Sequence, residues 1–204
     1  MKYIQKQTPP LEFIKYQRKK GSSFSDLSEK IKESLRKSLL EEQGYICCYC
    51  GQRVEFENSV IEHIKCRQRY PCLQLDYTNL VCSCRGGQDK RVHNRQYPLN
   101  CDANKGNMDI HVSPLDEECF KRLDFDDAGN IYGLDKEAKD TIEVLNLNNC
   151  KLKNIRNSAI EAYRWCDDQT DWRDELARIK EPYSDGQYEP FCFVIQKFIE
   201  NYRL

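Results

Sequence analysis

No apolar run in this 204-residue chain approaches the ~20 residues that a membrane-crossing helix needs, and no secretory pattern opens it at Met1. A membrane partner is therefore not expected, and a cytoplasmic chain is. Internal repeats are missing too, so each segment has to be read on its own. An excess of charge of one sign is also lacking: the formal net charge is -1, which by itself argues against nucleic acid. Charged residues nevertheless make up 32% of the chain and hydrophobic ones 39%, with a mean hydropathy of -0.81, a composition that suits one substantial globular domain or two small ones.

What the chain has in quantity is cysteine, twelve in all. A reducing cytosol keeps thiols free, so metal ligation explains those that are regularly placed. Cys47 and Cys50 stand two residues apart, the spacing at which one tight turn aims two sulfurs at a tetrahedral ion. Cys84 and Cys101 are the candidate second pair, joined in space if residues 85–100 form an insertion. Zinc is the expected ion. A redox Cys-x-x-Cys lacks its βαβ setting here, and an iron–sulfur cluster is the other four-cysteine alternative. Cys48, Cys66, Cys72, Cys82, Cys119, Cys150, Cys166 and Cys192 read as small buried hydrophobes.

The charge is unevenly spread. Residues 63–107 carry Lys65, Arg67, Arg69, Arg85, Lys90, Arg91, Arg95 and Lys105 against Asp76, Asp89 and Asp102. That basic stretch suits a phosphate backbone, with Lys65, Arg67, Arg69 and Lys105 the expected contacts. Residues 166–204 lean acidic through Asp167, Asp168, Asp171, Asp174, Glu175 and Glu181, which suits a protein partner or plain solvation.

Residues 1–24 are polar, with Pro9-Pro10 and Arg18-Lys19-Lys20 ahead of Gly21, and predict an extended N-terminal arm. From Ser25, a candidate N-cap, Leu27, Ile31, Leu35 and Leu39 recur every fourth position up to Gly44, the pattern of an amphipathic helix. Residues 45–64 predict a hairpin: a knuckle, a strand near Arg53-Val54, a turn at Glu57-Asn58 and a strand Val60–Ile64. A further ordered segment covers 76–83, a long Gly- and Arg-rich loop 85–100, and a helix starts close to Cys101. A second hairpin is expected over 123–132, followed by helices over 136–147, 152–165, 172–179 and 191–202.

Glu62 and His63 fall on the second predicted strand. Adjacent strand residues face opposite ways, so both can serve one centre only at a bulge or a strand end. In such a place Glu62 offers a carboxylate to a hard divalent ion, Mg²⁺ or Mn²⁺, and His63 can take a proton from water. Asn79 is the candidate for orienting the imidazole. The third element is the segment after Cys101, where Asp102, by its charge, or Asn104, by its amide, completes the metal shell. His93 and His111 read as satisfied structural residues.

In order and spacing, Cys47-x-x-Cys50, Glu62-His63, Asn79-Leu80, Cys84 and Cys101 through Lys105-Gly106 resemble the HNH (ββα-metal) endonuclease family. More narrowly, Ile61-Glu62-His63, Asn79 to Cys84, Lys105-Gly106-Asn107, Val112 to Leu115 and Leu145 to Asn148 resemble the retron-associated HNH proteins and the PtuB protein of the Septu anti-phage system. The chain departs from the family pattern in its stretched second cysteine spacing and in having Asp102 after Cys101, where His or Asn is common. The resemblance implies an α+β fold in which a ββα-metal core, stapled by four cysteines, is flanked by N- and C-terminal helices. The expected division is an arm at 1–24, a nuclease core with its leading helix at 25–115, and a hairpin plus helical region at 116–204 that docks a partner.

The resemblance also implies an effector nuclease of prokaryotic immunity; nucleic acid is the expected substrate, with DNA favoured over RNA. The nuclease would be controlled by a PtuA-like ABC/SMC-type ATPase and, in the retron branch, would work with a reverse transcriptase and its msDNA. The acidic run from Asp167 to Glu175 beside Trp165 and Trp172 is the candidate docking surface. The competing reading is a zinc-stabilised module that binds nucleic acid or protein without cutting. The presence of both the Glu62-His63 dyad and Asn79 favours the enzyme, since a module has no need of the dyad.

Overall fold

The computed structural model describes residues 1–166 and 170–204 and shows a mixed α+β protein in which helices surround two small antiparallel sheets. None of its described helices is long and apolar enough to cross a membrane.

The segment expected to be an extended arm is built into the core instead. Residues Leu11–Gln17 form helix α1, and Met1, Ile4, Phe13 and Phe24 are buried with the main hydrophobic cluster. Their irregular spacing in a polar stretch hides this from a periodicity search. Helix α2 spans Glu29–Glu42 and buries Leu35, Leu39 and Leu40. Its cap is Ser28, whose side chain accepts from the Ile31 amide, and not Ser25; Gly44, with φ +58, follows the helix end.

The expected hairpin of residues 45–64 is also rearranged. Around the knuckle only Ile46 and Arg53 bridge. Strand β1 (Ser59–His63) pairs antiparallel with β2 (Leu80–Cys84), from Ser59 opposite Cys84 to His63 opposite Leu80. The local sequence 53–54 loses this pairing because residues 80–84 are buried throughout and supply a complete apolar partner. Short helices α3 (Gln88–Arg91) and α4 (Asp102–Lys105) lie beyond β2.

The second expected hairpin is present as β3 (Leu123–Phe125) and β4 (Ile131–Gly133). Helices α5 (Lys136–Val144), α6 (Cys150–Arg164) and α7 (Trp172–Lys180) start at Asp135, Asn149 and Asp171, each of which accepts hydrogen bonds from first-turn amides. Helix α8 (Cys192–Tyr202) buries Phe193, Val194, Ile195, Phe198 and Ile199, at about 1.5–3 kcal/mol each. It presses on the knuckle: a Cβ on Gly51, which has φ +80, would come within 2.5 Å of the Phe193 ring. The C-terminal helices therefore support the cysteine site directly.

Of the eight remaining cysteines, Cys48, Cys66, Cys82, Cys119 and Cys192 are buried as expected, whereas Cys72 and Cys150 are exposed and Cys166 is half-buried. Of the acidic run expected to dock a partner, Asp167 and Asp168 lie outside the described residues. Asp171 caps α7, Glu175 pairs with Arg178, and Trp172 lies half-buried beneath the Arg203 guanidinium, 5.0 Å from its ring centroid. Trp165 is 81% exposed.

Candidate functional site

Four sulfurs converge where the knuckle, the end of β2 and the start of α4 meet. Those of Cys47, Cys50, Cys84 and Cys101 all lie within 4.8 Å of one another, and the Cys47–Cys101 and Cys50–Cys84 separations are both 3.9 Å. Zn–S bonds of ~2.3 Å set tetrahedral sulfur–sulfur edges of about 3.8 Å, so the donor set fits zinc. Nitrogen donors face these sulfurs: the Cys84 amide lies 3.3 Å from Cys47 Sγ, and Asn100 Nδ2 lies 3.1 Å from Cys101 Sγ. A zinc ion with four thiolates carries two negative charges. Arg156 on α6 is buried, donates to the carbonyls of Gly129 and Leu147, and lies near enough for Cys50 and Cys101 to act on its charge. Burial lowers its pKa only to about 10, so it remains cationic at neutral pH.

The same three elements bring the acid–histidine pair to a strand end. Glu62 and His63 close β1, where both are buried. Glu62 Oε1 accepts from the Tyr49 hydroxyl of the knuckle at 2.9 Å and from Lys105 Nζ of α4 at 2.7 Å, while Oε2 accepts from the His63 amide at 2.9 Å. Asp102 stands beside it. Burial and the neighbouring Asp102 carboxyl push the Glu62 pKa up to about 8, against the opposing pull of Lys105. Two carboxyls held together in this way are a hard-oxygen donor set that a divalent cation would satisfy.

His63 Nε2 is 3.0 Å from the carbonyl oxygen of Gln74. A carbonyl can only accept, so Nε2 carries the proton and the neutral ring keeps its lone pair on Nδ1. The Phe24 ring packs on the imidazole nearly at right angles, with 4.5 Å between ring centroids. Burial, reinforced by the charges of Arg67 and Lys105, lowers the His63 pKa to about 4 despite the Gln74 bond. The imidazole is therefore a neutral base at physiological pH. Glu62, His63, Arg67, Asp102 and Lys105 line one open depression of ≈ 410 Å³.

Several expected site residues take other parts. Asn79 does not touch the imidazole: its Nδ2 donates to the carbonyls of Lys65 and Leu73, and its Oδ1 accepts from the Lys65 amide at 2.8 Å. It holds the 65–73 loop, and the Gln74 carbonyl orients the ring. Asn104 turns away to donate to the Val144 carbonyl at 2.9 Å, leaving Asp102 next to Glu62. Lys105 is 1% exposed and is bonded to Glu62 and the His63 carbonyl, so it is not placed to meet a nucleic-acid backbone. Lys65 and Arg69 pair with Asp109, 3.7 and 2.8 Å away, and Arg67, stacked over Phe24, is the exposed one of the two expected phosphate contacts that line the depression. His93 and His111 are exposed and do not contribute.

Sequence reasoning missed Tyr49, Gln74, Asn100, Asp109 and Arg156. Tyr49 could have been noticed from its place inside the knuckle. Gln74 acts through its backbone and leaves no signal in residue type.

No family model matches the chain. It is similar to a protein named "Retron Vc95 putative HNH endonuclease" from Vibrio cholerae serotype O1 biovar El Tor, at 27% identity over 169 residues, which cover 74% of this chain and 78% of the relative. That relative supports a nuclease, and with it a nucleic-acid substrate.

Proposed function

We propose that this protein is a metal-dependent HNH endonuclease with a ββα-metal core made of β1, β2 and α4, and that it cleaves nucleic acid, with DNA the favoured substrate. The observation that carries the reading is the neutral His63, with its Nδ1 lone pair free and its Nε2 fixed by Gln74, beside the Glu62–Asp102 pair. His63 Nδ1 takes the proton from the attacking water, and Arg67 at the rim of the depression binds phosphate oxygens. Glu62 and Asp102 would hold Mg²⁺ or Mn²⁺, which when bound supplies positive charge against the developing charge on phosphate. Lys105 and Tyr49 fix the Glu62 carboxylate, and Asn79 fixes the loop that carries Gln74. The four-cysteine zinc site holds these elements in register.

The biological reading is that of an effector in a Septu- or retron-type anti-phage system, governed by a PtuA-like ATPase that docks on the helices of 136–204. The named relative supports the retron side of this reading, and the exposed Trp165 ring supports a docking face on those helices. The nuclease reading is tested with supercoiled plasmid: Mg²⁺-dependent nicking should be abolished by EDTA while zinc stays bound, and by His63→Ala. Salt-dependent binding without cleavage under any metal would leave the non-catalytic module instead. Loss of co-purification with the ATPase on Trp165→Ser tests the docking face.

A further inference from the structure

Residues 85–100 leave the fold between two zinc ligands and return to it. At the root, Asn100 N donates to the Gly86 carbonyl at 3.0 Å, and a Cβ on Gly86, which has φ +55, would fall 2.0 Å from the Asn100 carbonyl oxygen. Arg85 ties the outgoing strand to the Glu57 carbonyl, and Asn146 donates to the Leu99 carbonyl. Cys84 and Cys101 thus clamp a finger whose tip is entirely outside: every residue from Gln88 to Gln96 is exposed.

The tip is cationic. Asp89, its one acid, is paired with Arg85. Lys90, Arg91 and Arg95 are in no ion pair among the described residues, and Lys151 of α6 adds a fourth cation over the Tyr97 ring at the finger's side. This contrasts with the site itself, where Lys65, Arg69 and Lys105 already serve Asp109 and Glu62.

The placement matters as much as the charge. The finger starts opposite Ser59, four residues along β1 from His63, or about 13 Å at ~3.3 Å per residue. It ends two residues before Asp102. Phosphates on one strand of B-DNA recur every ~3.4 Å of axis, so cations rooted there would meet a bound strand about four nucleotides from the cleavage point.

We infer that the finger of residues 85–100 is a second nucleic-acid contact, with Lys90, Arg91 and Arg95 binding the sugar–phosphate backbone away from the scissile bond. This rests on the nuclease reading above. Exposed cations without partners give up no internal interaction on binding, and their backbone contacts would set register without reading sequence.

The test is the salt dependence of binding by the full zinc-loaded His63→Ala chain, which holds substrate uncut, on labelled duplex DNA, single-stranded DNA and an RNA hairpin. Each backbone contact adds about 0.7–0.9 to the slope of log affinity against log salt, so replacing Lys90, Arg91 and Arg95 together by Gln should lower the slope by about 2–3 units on the true substrate. The charge-conserving triple Lys90→Arg, Arg91→Lys, Arg95→Lys should keep it. An unchanged slope in the Gln triple, with binding otherwise intact, overturns the finger and leaves the nuclease. Absence of salt-dependent binding to all three probes, together with no cleavage by the wild type, overturns both.

Discussion

The imidazole Nε2 of His63 is tied to the carbonyl oxygen of Gln74, 3.0 Å away across a loop of residues that no pairing rule connects. This bond decides which ring nitrogen is basic. It also makes the orientation of the proposed base depend on the course of a backbone, which side-chain substitution at Gln74 would hardly disturb.

Replacing His63 by Ala should therefore lower plasmid nicking by about 10²–10⁴-fold with zinc content unchanged. Free imidazole, which fits the vacated space, should restore part of the rate. At saturating metal the wild-type rate should stay level below the ordinary imidazole pKa of ~6.5 and decline only toward pH 4, because the base form persists above its folded pKa of about 4. Full activity in His63→Ala would remove the mechanism.

Glu62 gives a pH dependence of the opposite sign. Its folded pKa of about 8 lies above the ordinary 4.5, so in metal-free protein the stability it contributes is complete below 4.5 and lost as pH rises to 8. A divalent cation needs the deprotonated pair, and Mg²⁺ should consequently raise the melting temperature more near pH 8 than near pH 5. Asp102→Asn should flatten that difference. Equal Mg²⁺ shifts at both pH values would show that the pair is not the metal site.

Lys105 counters the same pair. With Lys105→Met, Glu62 and Asp102 face each other without their buried cation, at a cost of about 3–5 kcal/mol near pH 8. Near pH 5 Glu62 is protonated and the cost should be much smaller. Thermal melts of wild type and variant at the two pH values check this, with a pH-independent difference counting against it.

Much of the site was legible because rare, chemically committed residues stood close together: Cys47 and Cys50, Glu62 and His63, and Cys101 followed by Asp102. The same property misled at Lys105, whose charge suggested a phosphate contact when burial had given it to Glu62. Asn79 was found, but its work was assigned to the imidazole; an amide has donors and an acceptor, and a backbone loop can use all of them. The partner of β1 was misjudged for another reason. Strand pairing is set by which segment completes a buried layer, and Leu80–Cys84 does so across a long loop where the nearby Arg53-Val54 does not. Phe24, which packs on the His63 ring, was hidden in a segment whose polar composition suggested an arm.

Asn79→Ala should uncouple positioning from chemistry. It leaves the Lys65 amide and the Lys65 and Leu73 carbonyls without their partner, at about 2–3 kcal/mol, and frees the loop that carries Gln74. Nicking should fall with zinc retained, and free imidazole should not restore it. Asn79→Asp keeps the acceptor for the Lys65 amide but loses both donor bonds, and should be intermediate. A rate unchanged in Asn79→Ala would mean that the loop is held by other contacts.

Zinc removal should act on the whole assembly, because the four sulfurs that would hold the ion come from elements that are far apart in sequence. Cys47 and Cys50 belong to the knuckle that supplies Tyr49 to Glu62, Cys84 ends the strand paired with β1, and Cys101 opens the turn that carries Asp102 and Lys105. Structural zinc contributes ~10 kcal/mol or more in small domains, whereas whole domains are stable by only about 5–15 kcal/mol. Cys47→Ser or Cys101→Ser should therefore give aggregated or metal-poor protein, and a strong chelator should lower the melting temperature at a concentration where EDTA removes only the Mg²⁺-dependent rate. Metal analysis of the purified variants is the check. One zinc per chain in Cys47→Ser with normal melting would place the structural ion elsewhere, and the position of the knuckle beside Glu62 would then have to rest on the packing of Phe193 against Gly51 and on the Cys48 amide bonded to the Cys82 carbonyl.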